Sequence, residues 1–489
     1  MLAMSLNILC ALCWFTNGEL SICSQIMNSI SPSTSDTSVP PSLSLAPSIL
    51  PAPTITQNPS LSPTASSKLS KLPSFFPSTT PTTFPTNPIY KTKIGVYYYP
   101  WHGSDFHGGK YLREFLNPPQ FPSLGEYDDT QGATIQQHYE WTLYAQISVW
   151  IASWWGPERR TDTILLDSIL PHLETIENSE QNLQIAIHYE TSGRTSGFAD
   201  FSNVGSDIHY LTANYFTHPN YYFINGRPVI VIYLTRVMSK EEDFSIIQNF
   251  ISLMRTAALD DGYDIYIIAD EIFRRAPDEP RQAFDLYDAI TGYDVYGSMM
   301  INTALYAGQE TVDVFFEEQS KWRDLAHEKQ VSYIPCITPG FNDKGVREGH
   351  FPLSRQLDNL SEHGSLFSAM AEQAIGLLDQ SSDSLLFVTS FNEWHEDTQI
   401  EPVDIADLTN VDSSDSTVEY TMELLYEGYG TKYLDILRDI ARMNRFSVNP
   451  KDIAKFGTMV SSDEVIKSKL FFFIFKYVNI FILILINIS

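Results

Sequence analysis

The chain has 489 residues, with 59 acidic against 31 basic side chains and a formal net charge of −28, a balance that repels a phosphate backbone and excludes a protein that wraps nucleic acid. Hydrophobic residues make up 43% and charged ones 18%, which is too apolar for a disordered chain and enough for a large core. Cys10, Cys13, Cys23 and Cys336 are too few for a disulfide scaffold, and the CxxC of Cys10 and Cys13 has no second pair with which to hold structural zinc.

Residues 1–24 open with an apolar run from Leu2 to Thr16 that turns polar at Asn17 and Glu19. This is the shape of a signal peptide or signal anchor, although a basic n-region is missing and the run is short of the ~20 residues that span a bilayer. Residues 25–89 are Ser, Thr and Pro with almost no charge. Such a stretch has nothing to bury and its prolines favour extended backbone, so it reads as a low-complexity linker or stalk.

The compact part spans 90–449. Apolar, β-rich runs recur at 94–99, 147–154, 183–189, 229–234, 264–269, 288–293, 331–337 and 385–390. Most are continuously hydrophobic, as strands buried on both faces of a parallel sheet are. Helical patterns lie between them, for example at 162–177, 241–258, 311–327 and 365–379. Strands alternating with helices in this way predict an α/β fold, a (β/α)8 TIM barrel as a single catalytic domain. No Gly-rich fingerprint points to a dinucleotide.

A barrel of this kind builds its active site at the C-terminal ends of its strands. Here those ends read YYYPWHG (97–103), SWWGP (153–157), HYE (188–190), ADE (269–271), GYDVYG (292–297), TPGFND (338–343) and SFNEWHEDTQIEP (390–402). Aromatic rings stack on the apolar faces of sugars while carboxylates and amides bind hydroxyls, so the inventory points to a carbohydrate site. Glu393 and Glu396, three apart beyond the eighth strand, are the minimum for cleaving a glycosidic bond: one gives a proton to the leaving oxygen and the other serves as base or nucleophile. Spacing alone fits two ordinary glutamates on a solvated helix face better than a site; the aromatic setting of Phe391, Asn392, Trp394 and His395 shifts the balance to the site.

FNEWHEDTQIEP resembles the hallmark segment of glycoside hydrolase family 99, the endo-α-1,2-mannosidases and endo-α-1,2-mannanases, which typically reads FNEWHEGTQIE. YYYPWHG, HYE and TPGFNDKGVR resemble the family's YYPWYG, HxEPY and GPGYxDTxxR, in the same order. The resemblance implies a retaining, endo-acting glycoside hydrolase that needs no metal or other cofactor and works through a 1,2-anhydro sugar. Glu393 would take the proton of the 2-hydroxyl; Glu396 would be the general acid and then the base. Substrate would be held by Tyr98, Tyr99, Trp101, Trp154, Trp155, His188, Glu190, Tyr293, Asp343, Arg347, Asn392 and Trp394. The implied partner is an oligosaccharide or polysaccharide, the implied state a monomer, and the implied place the Golgi lumen or the cell exterior. A related barrel acting on another α-linked polysaccharide, and a carbohydrate-binding relative without turnover, are the alternatives.

The chain departs from the family pattern at Thr191-Ser192, where Pro-Tyr is usual, at His102, where a tyrosine is, and at Asp397, where glycine follows the second glutamate. Asp397 is expected to raise the pKa of Glu396 by like-charge repulsion. Asp270-Glu271 with Arg274 and Arg275 reads as readily as a helix-start charge cluster as a substrate contact. His395-Glu396 does not continue into HExxH, since position 399 is Gln. Cys336 is expected to be a core residue, and Asn359-Leu360-Ser361 is a glycosylation sequon. In the tail, 450–489, the apolar run 470–489 has three readings: a tail anchor, a removed glycolipid-anchor signal, or an artefact of gene prediction.

Overall fold

The computed structural model describes residues 92–443, apart from 177–182, 196, 197, 199, 240–242, 300–304 and 348. The proposed leader, the Ser/Thr/Pro linker and the apolar tail lie outside the described residues. Among the described residues no helix is long and apolar enough to cross a membrane.

A parallel sheet organises the chain. Its strands are β1 (Lys93–Tyr98), β2 (Ile147–Trp154), β3 (Gln184–Tyr189), β5 (Arg227–Ile232), β6 (Tyr266–Asp270), β7 (Ala289–Thr291), β8 (Ser332–Tyr333), β9 (Cys336–Ile337) and β10 (Leu385–Val388), with the two-residue β4 (Phe223–Ile224) antiparallel on β5. The hydrogen-bonded order is β8-β7-β6-β5-β3-β2-β1-β10-β9. Its two ends, β8 and β9, are halves of one extended segment interrupted at Ile334-Pro335. Ile334 N–H donates to Ile290 O on one side, and Pro335 O accepts from Phe387 N on the other, so the sheet closes on itself. Proline has no N–H to offer the ladder, which is why the strand is broken there without opening the barrel. This is a (β/α)8 barrel, and every sequence-expected strand is present within two or three residues at its ends.

The strands bury both faces. Ile94, Val96, Ile151, Ile185, Ile187, Val231, Ile267, Ile268 and Leu386 are all sealed from solvent, each contributing roughly 1.5–3 kcal/mol of transfer free energy. Helices Gly132–Tyr144, Val204–Asn214, Phe244–Asp260, Gly308–Glu328 and Ser365–Ala374 cover the outside. Between β6 and β7 the layer is thinner: a 3-10 turn, Gln282–Leu286, replaces a helix.

Two features depart from the sequence reading. Glu271 is neither a substrate contact nor part of a helix start: it is fully buried, accepts from Arg281 at 2.8 Å and from Ser239 Oγ at 2.8 Å, and no helix begins at 272–275. Beyond β10 the chain adds an antiparallel hairpin, β11 (Val403–Thr409) with β12 (Tyr426–Gly430), before the helix Lys432–Met443. Most of β11 is exposed, so its sequence carries no buried run. The hairpin strands meet at Gly428, where a Cβ would lie 2.1 Å from Asp404 O and 2.4 Å from Ala406 N. Gly428→Ala is therefore expected to force the strands apart and to lower the free energy of unfolding by about 1–3 kcal/mol in denaturant titration.

Candidate active site

The alternation of strand side chains decides what reaches the opening. In β1 and just past it, Tyr97 and Tyr99 face inward: Tyr97 meets His188 and Tyr293 edge-on, each at 4.8 Å between ring centres. Tyr98 faces outward, stacks on Trp150 at 4.1 Å and bonds His138 Nδ1 at 2.9 Å. In β2, Ser153 faces inward and donates to Glu190 Oε1 at 2.7 Å, while Trp154 faces outward and donates to Asp162 at 2.7 Å. Tyr98 and Trp154 are thus core residues of the outer layer and do not line the opening, contrary to their inclusion among the pocket residues.

The eighth-strand segment forms the floor. Glu393 caps a single 3-10 turn, Trp394–Glu396. Such a turn has about three residues per revolution, so side chains at i and i+3 eclipse, and the carboxylates of Glu393 and Glu396 come to the same side. Glu393 is held by its own neighbours: Ser390 Oγ accepts from its N–H at 2.9 Å, and its Oε1 accepts from His395 N–H at 3.0 Å. His395 Nδ1 is 3.5 Å from the same oxygen while its Nε2 donates to Gly109 O at 2.9 Å. Burial disfavours the imidazolium, but the hydrogen bond and charge of Glu393 outweigh it, so the pKa of His395 lies above the ordinary value.

Glu396 is differently placed. Its Oε2 accepts from Tyr293 O–H at 3.2 Å and its Oε1 from Arg347 at 3.3 Å, and its side chain is 20% exposed against 5% for Glu393. Burial raises its pKa to about 7, with Glu393, Asp343 and Asp294 adding to the rise and Arg347 opposing it. Asp397 is not among the largest contributors to this shift. Its carboxylate turns away into an ion pair with Arg113 (2.6 Å) and Arg355 (3.1 Å), which hold its own pKa below the ordinary value against the pull of burial.

Tyr99 ties the site together. Its hydroxyl donates to Tyr293 O–H at 2.6 Å. Burial raises its pKa well above the ordinary value, and the charges of Glu190, Glu393 and Glu396 add to the rise, so three carboxylates converge on one phenol. Glu190, its Oε1 3.4 Å from His188 Nδ1, shares Ser153 with Trp155, whose Nε1 donates to the serine oxygen at 3.0 Å. Asp343 holds Arg347 at 2.7 Å and His350 at 2.8 Å. Trp101 stacks on His107 at 4.2 Å with 4° between planes. Tyr97 Oη, Trp101 Nε1, both ring nitrogens of His188 and Asp343 Oδ1 are buried without a hydrogen-bond partner among the described residues.

Asn392 and Trp394 support the floor and do not open onto the cleft. Asn392 bonds the N–H and C=O of Tyr99 (2.8 and 3.1 Å), and Trp394 donates to Glu401 at 2.9 Å. Sequence reasoning missed His107, Tyr97 and Ser153 as residues of the opening and took His395 only as part of the aromatic setting of the two glutamates. Tyr97 and Ser153 were within reach of a strict period-2 reading of their strands. His107 lies in a run of positive φ from Phe106 to Lys110, a loop conformation that leaves no sequence period. Among the described residues no group of three or more His, Cys, Asp or Glu side chains could hold a metal ion.

A closed parallel barrel with two carboxylates in an aromatic opening at the C-terminal strand ends defines a glycoside hydrolase. The sequence profile of glycosyl hydrolase family 99 matches residues 90–427, and the chain belongs to that family. It is 25% identical over 345 residues to the glycoprotein endo-alpha-1,2-mannosidase of Mus musculus, covering 63% of this chain and 67% of the relative. It is 23% identical over 342 residues to a glycoprotein endo-alpha-1,2-mannosidase-like protein of the same species, covering 63% and 69%. The fold is similar to that of the family 99 endo-alpha-mannosidase of Bacteroides thetaiotaomicron, with a TM-score of 0.50, 20% identity, and coverage of 72% of this chain and 97% of the other.

Because Arg347 favours the ionised form of Glu396, Arg347→Gln is expected to move the titration midpoint of the Glu396 carboxyl upward from about 7. Carbon-13 NMR of carboxyl-labelled glutamate checks this; a midpoint that falls or stays would refute the assignment of Arg347 as the opposing charge.

Proposed function

We propose that the protein is a retaining, endo-acting glycoside hydrolase that cleaves internal α-1,2-mannosidic, or gluco-mannosidic, linkages through a 1,2-anhydro sugar. The observation that carries the reading is the paired placement of Glu393 and Glu396 on one 3-10 turn under Tyr99 and Tyr293, with Glu396 titrating near 7. A carboxyl with that pKa still holds a proton near neutral pH and can give it to a leaving oxygen. Glu393, sealed and fixed by two N–H contacts and an imidazole, is set to take the proton from a sugar 2-hydroxyl. In an α-mannoside that hydroxyl is axial and can lie anti to the leaving group, so the oxygen attacks in line. After cleavage Glu396, now ionised, draws the proton from water as the water oxygen attacks the anomeric carbon; the bond from that carbon to the 2-oxygen breaks, Glu393 returns its proton to the 2-oxygen, and the α configuration is restored. The relatives' names, endo-alpha-1,2-mannosidase and its like, support the linkage.

The buried polar atoms of Tyr97, His188, Trp101 and Asp343 that lack partners among the described residues are matched in kind to sugar hydroxyls, and Trp155 and Trp101 offer ring faces beside them. On this reading the barrel is a monomer that works in the Golgi lumen or outside the cell, tethered through an apolar terminal segment.

The test is incubation of the full chain with α-1,2-linked manno-oligosaccharides, with product length and anomeric configuration read by NMR. Internal cleavage with α-configured products is expected, and Glu393→Gln and Glu396→Gln should each lower kcat by about a hundred- to ten-thousandfold. The alkaline limb of kcat should fall near pH 7, where Glu396 loses its proton. β-Configured products would sink the retaining mechanism. Binding without cleavage would turn the assignment towards another α-glycan or a lectin-like role.

A further inference from the structure

Asp397 follows Glu396 directly and closes its turn. Its backbone is left-handed, with φ 48° and ψ 35°, a conformation that glycine, the residue of the resembled family segment, adopts without penalty and that an L side chain adopts at a cost. Something must hold an aspartate there. Its carboxylate is 2% exposed and lies between two guanidiniums that are each 1% exposed: Arg113 Nε at 2.6 Å on Oδ1 and Arg355 Nε at 3.1 Å on Oδ2. Arg355 Nη2 also donates to the carbonyls of Asp397 (2.7 Å) and Gln399 (3.0 Å). Arg113 Nη1 donates to Glu427 O at 3.0 Å and to Gln120. Both guanidiniums lie over the ring of Tyr429, at 5.0 and 5.1 Å.

Three separate parts of the chain therefore build this clamp: the loop after β1 brings Arg113 and the loop after β9 brings Arg355 onto Asp397, and the hairpin sets the ring of Tyr429 under both guanidiniums. None of the three belongs to the catalytic turn. Glu396 itself is tethered by Tyr293 and Arg347 at its carboxylate and by Asn342 N–H on its carbonyl at 2.7 Å. Where its side chain points depends on the turn that Asp397 closes.

We propose that Asp397 is a positioning residue for Glu396: clamped between Arg113 and Arg355, it fixes the left-handed turn that aims the Glu396 carboxyl into the opening, and it neutralises one of the two positive charges buried beneath that turn. The proposal rests on the reading of Glu396 as the general acid, and it makes an aspartate do by ion pairing what glycine does by lacking a side chain.

Asp397→Gly and Asp397→Asn separate the two parts of the clamp. Glycine relieves the backbone cost but releases the turn; asparagine keeps an acceptor for the arginines and tolerates the left-handed conformation, but removes the charge. The glycine variant is expected to lower kcat about ten- to a hundredfold with KM changed less than about threefold, as a displaced acid does. The asparagine variant, which keeps the turn and loses only the charge, should lower kcat less than the glycine variant does. Both should move the titration midpoint of the Glu396 carboxyl downward, because the charge of Arg113 and Arg355 is then uncompensated, while Arg347, Glu393, Asp343, Asp294 and Tyr293, the groups that face Glu396 from its other sides, are unchanged.

That midpoint is read by carbon-13 NMR on the full chain without substrate, so it tests the clamp even if no manno-oligosaccharide is cleaved. Should the glycine variant not fold, the asparagine variant decides. A midpoint unmoved in the folded variants, or a glycine variant with the parent's kcat, would overturn the proposal.

Discussion

One side-chain amide joins the first and last strands of the barrel at its rim. Asn392 accepts from Tyr99 N–H and donates to Tyr99 C=O, so it pairs with the backbone beyond β1 as a further strand residue would. Everything at the site depends on that lock. It fixes Tyr99, whose hydroxyl reaches Tyr293 and through it Glu396, and it fixes the start of the turn that carries Glu393 and Glu396. A buried amide with its polar atoms satisfied is inexpensive to keep and costly to break, since either partner left unpaired loses about 1–3 kcal/mol.

The far end of the same segment is held by a charge. Glu401 is sealed from solvent and accepts from Tyr127 O–H (2.8 Å), Trp394 Nε1 (2.9 Å) and His138 Nε2 (3.1 Å). Hydrogen bonds to a charged group are each worth roughly 1.5–3 kcal/mol, and here they are needed to offset the loss of hydration. With Asn392 at one end, Glu401 at the other and Asp397 clamped between, the residues that carry Glu393 and Glu396 have little freedom left. That rigidity is what the general acid and base roles proposed for this pair require, since a proton must pass over a fixed distance.

The two carboxylates of this short turn have different surroundings. Glu393 accepts from His395 N–H beside its imidazole, whereas Glu396 lies among carboxylates with Arg347 in opposition, and burial raises its pKa to about 7.

The sequence alone was enough for the barrel, because eight apolar runs with helices between them admit few other packings, and it singled out Glu393 and Glu396 as a candidate pair, because they stand in a motif whose aromatic neighbours are costly to expose. It could not say which of two adjacent aromatics faces the opening: Tyr98 and Trp154 read like Tyr99 and Trp155 until the pleat assigns each a side. Nor could it foresee that Asp397 would turn away from Glu396, since its partners Arg113 and Arg355 lie 284 and 42 residues off. Local period and motif are written in neighbouring residues; burial, ion pairing and the pKa values that follow are set by residues brought together only when the chain closes on itself.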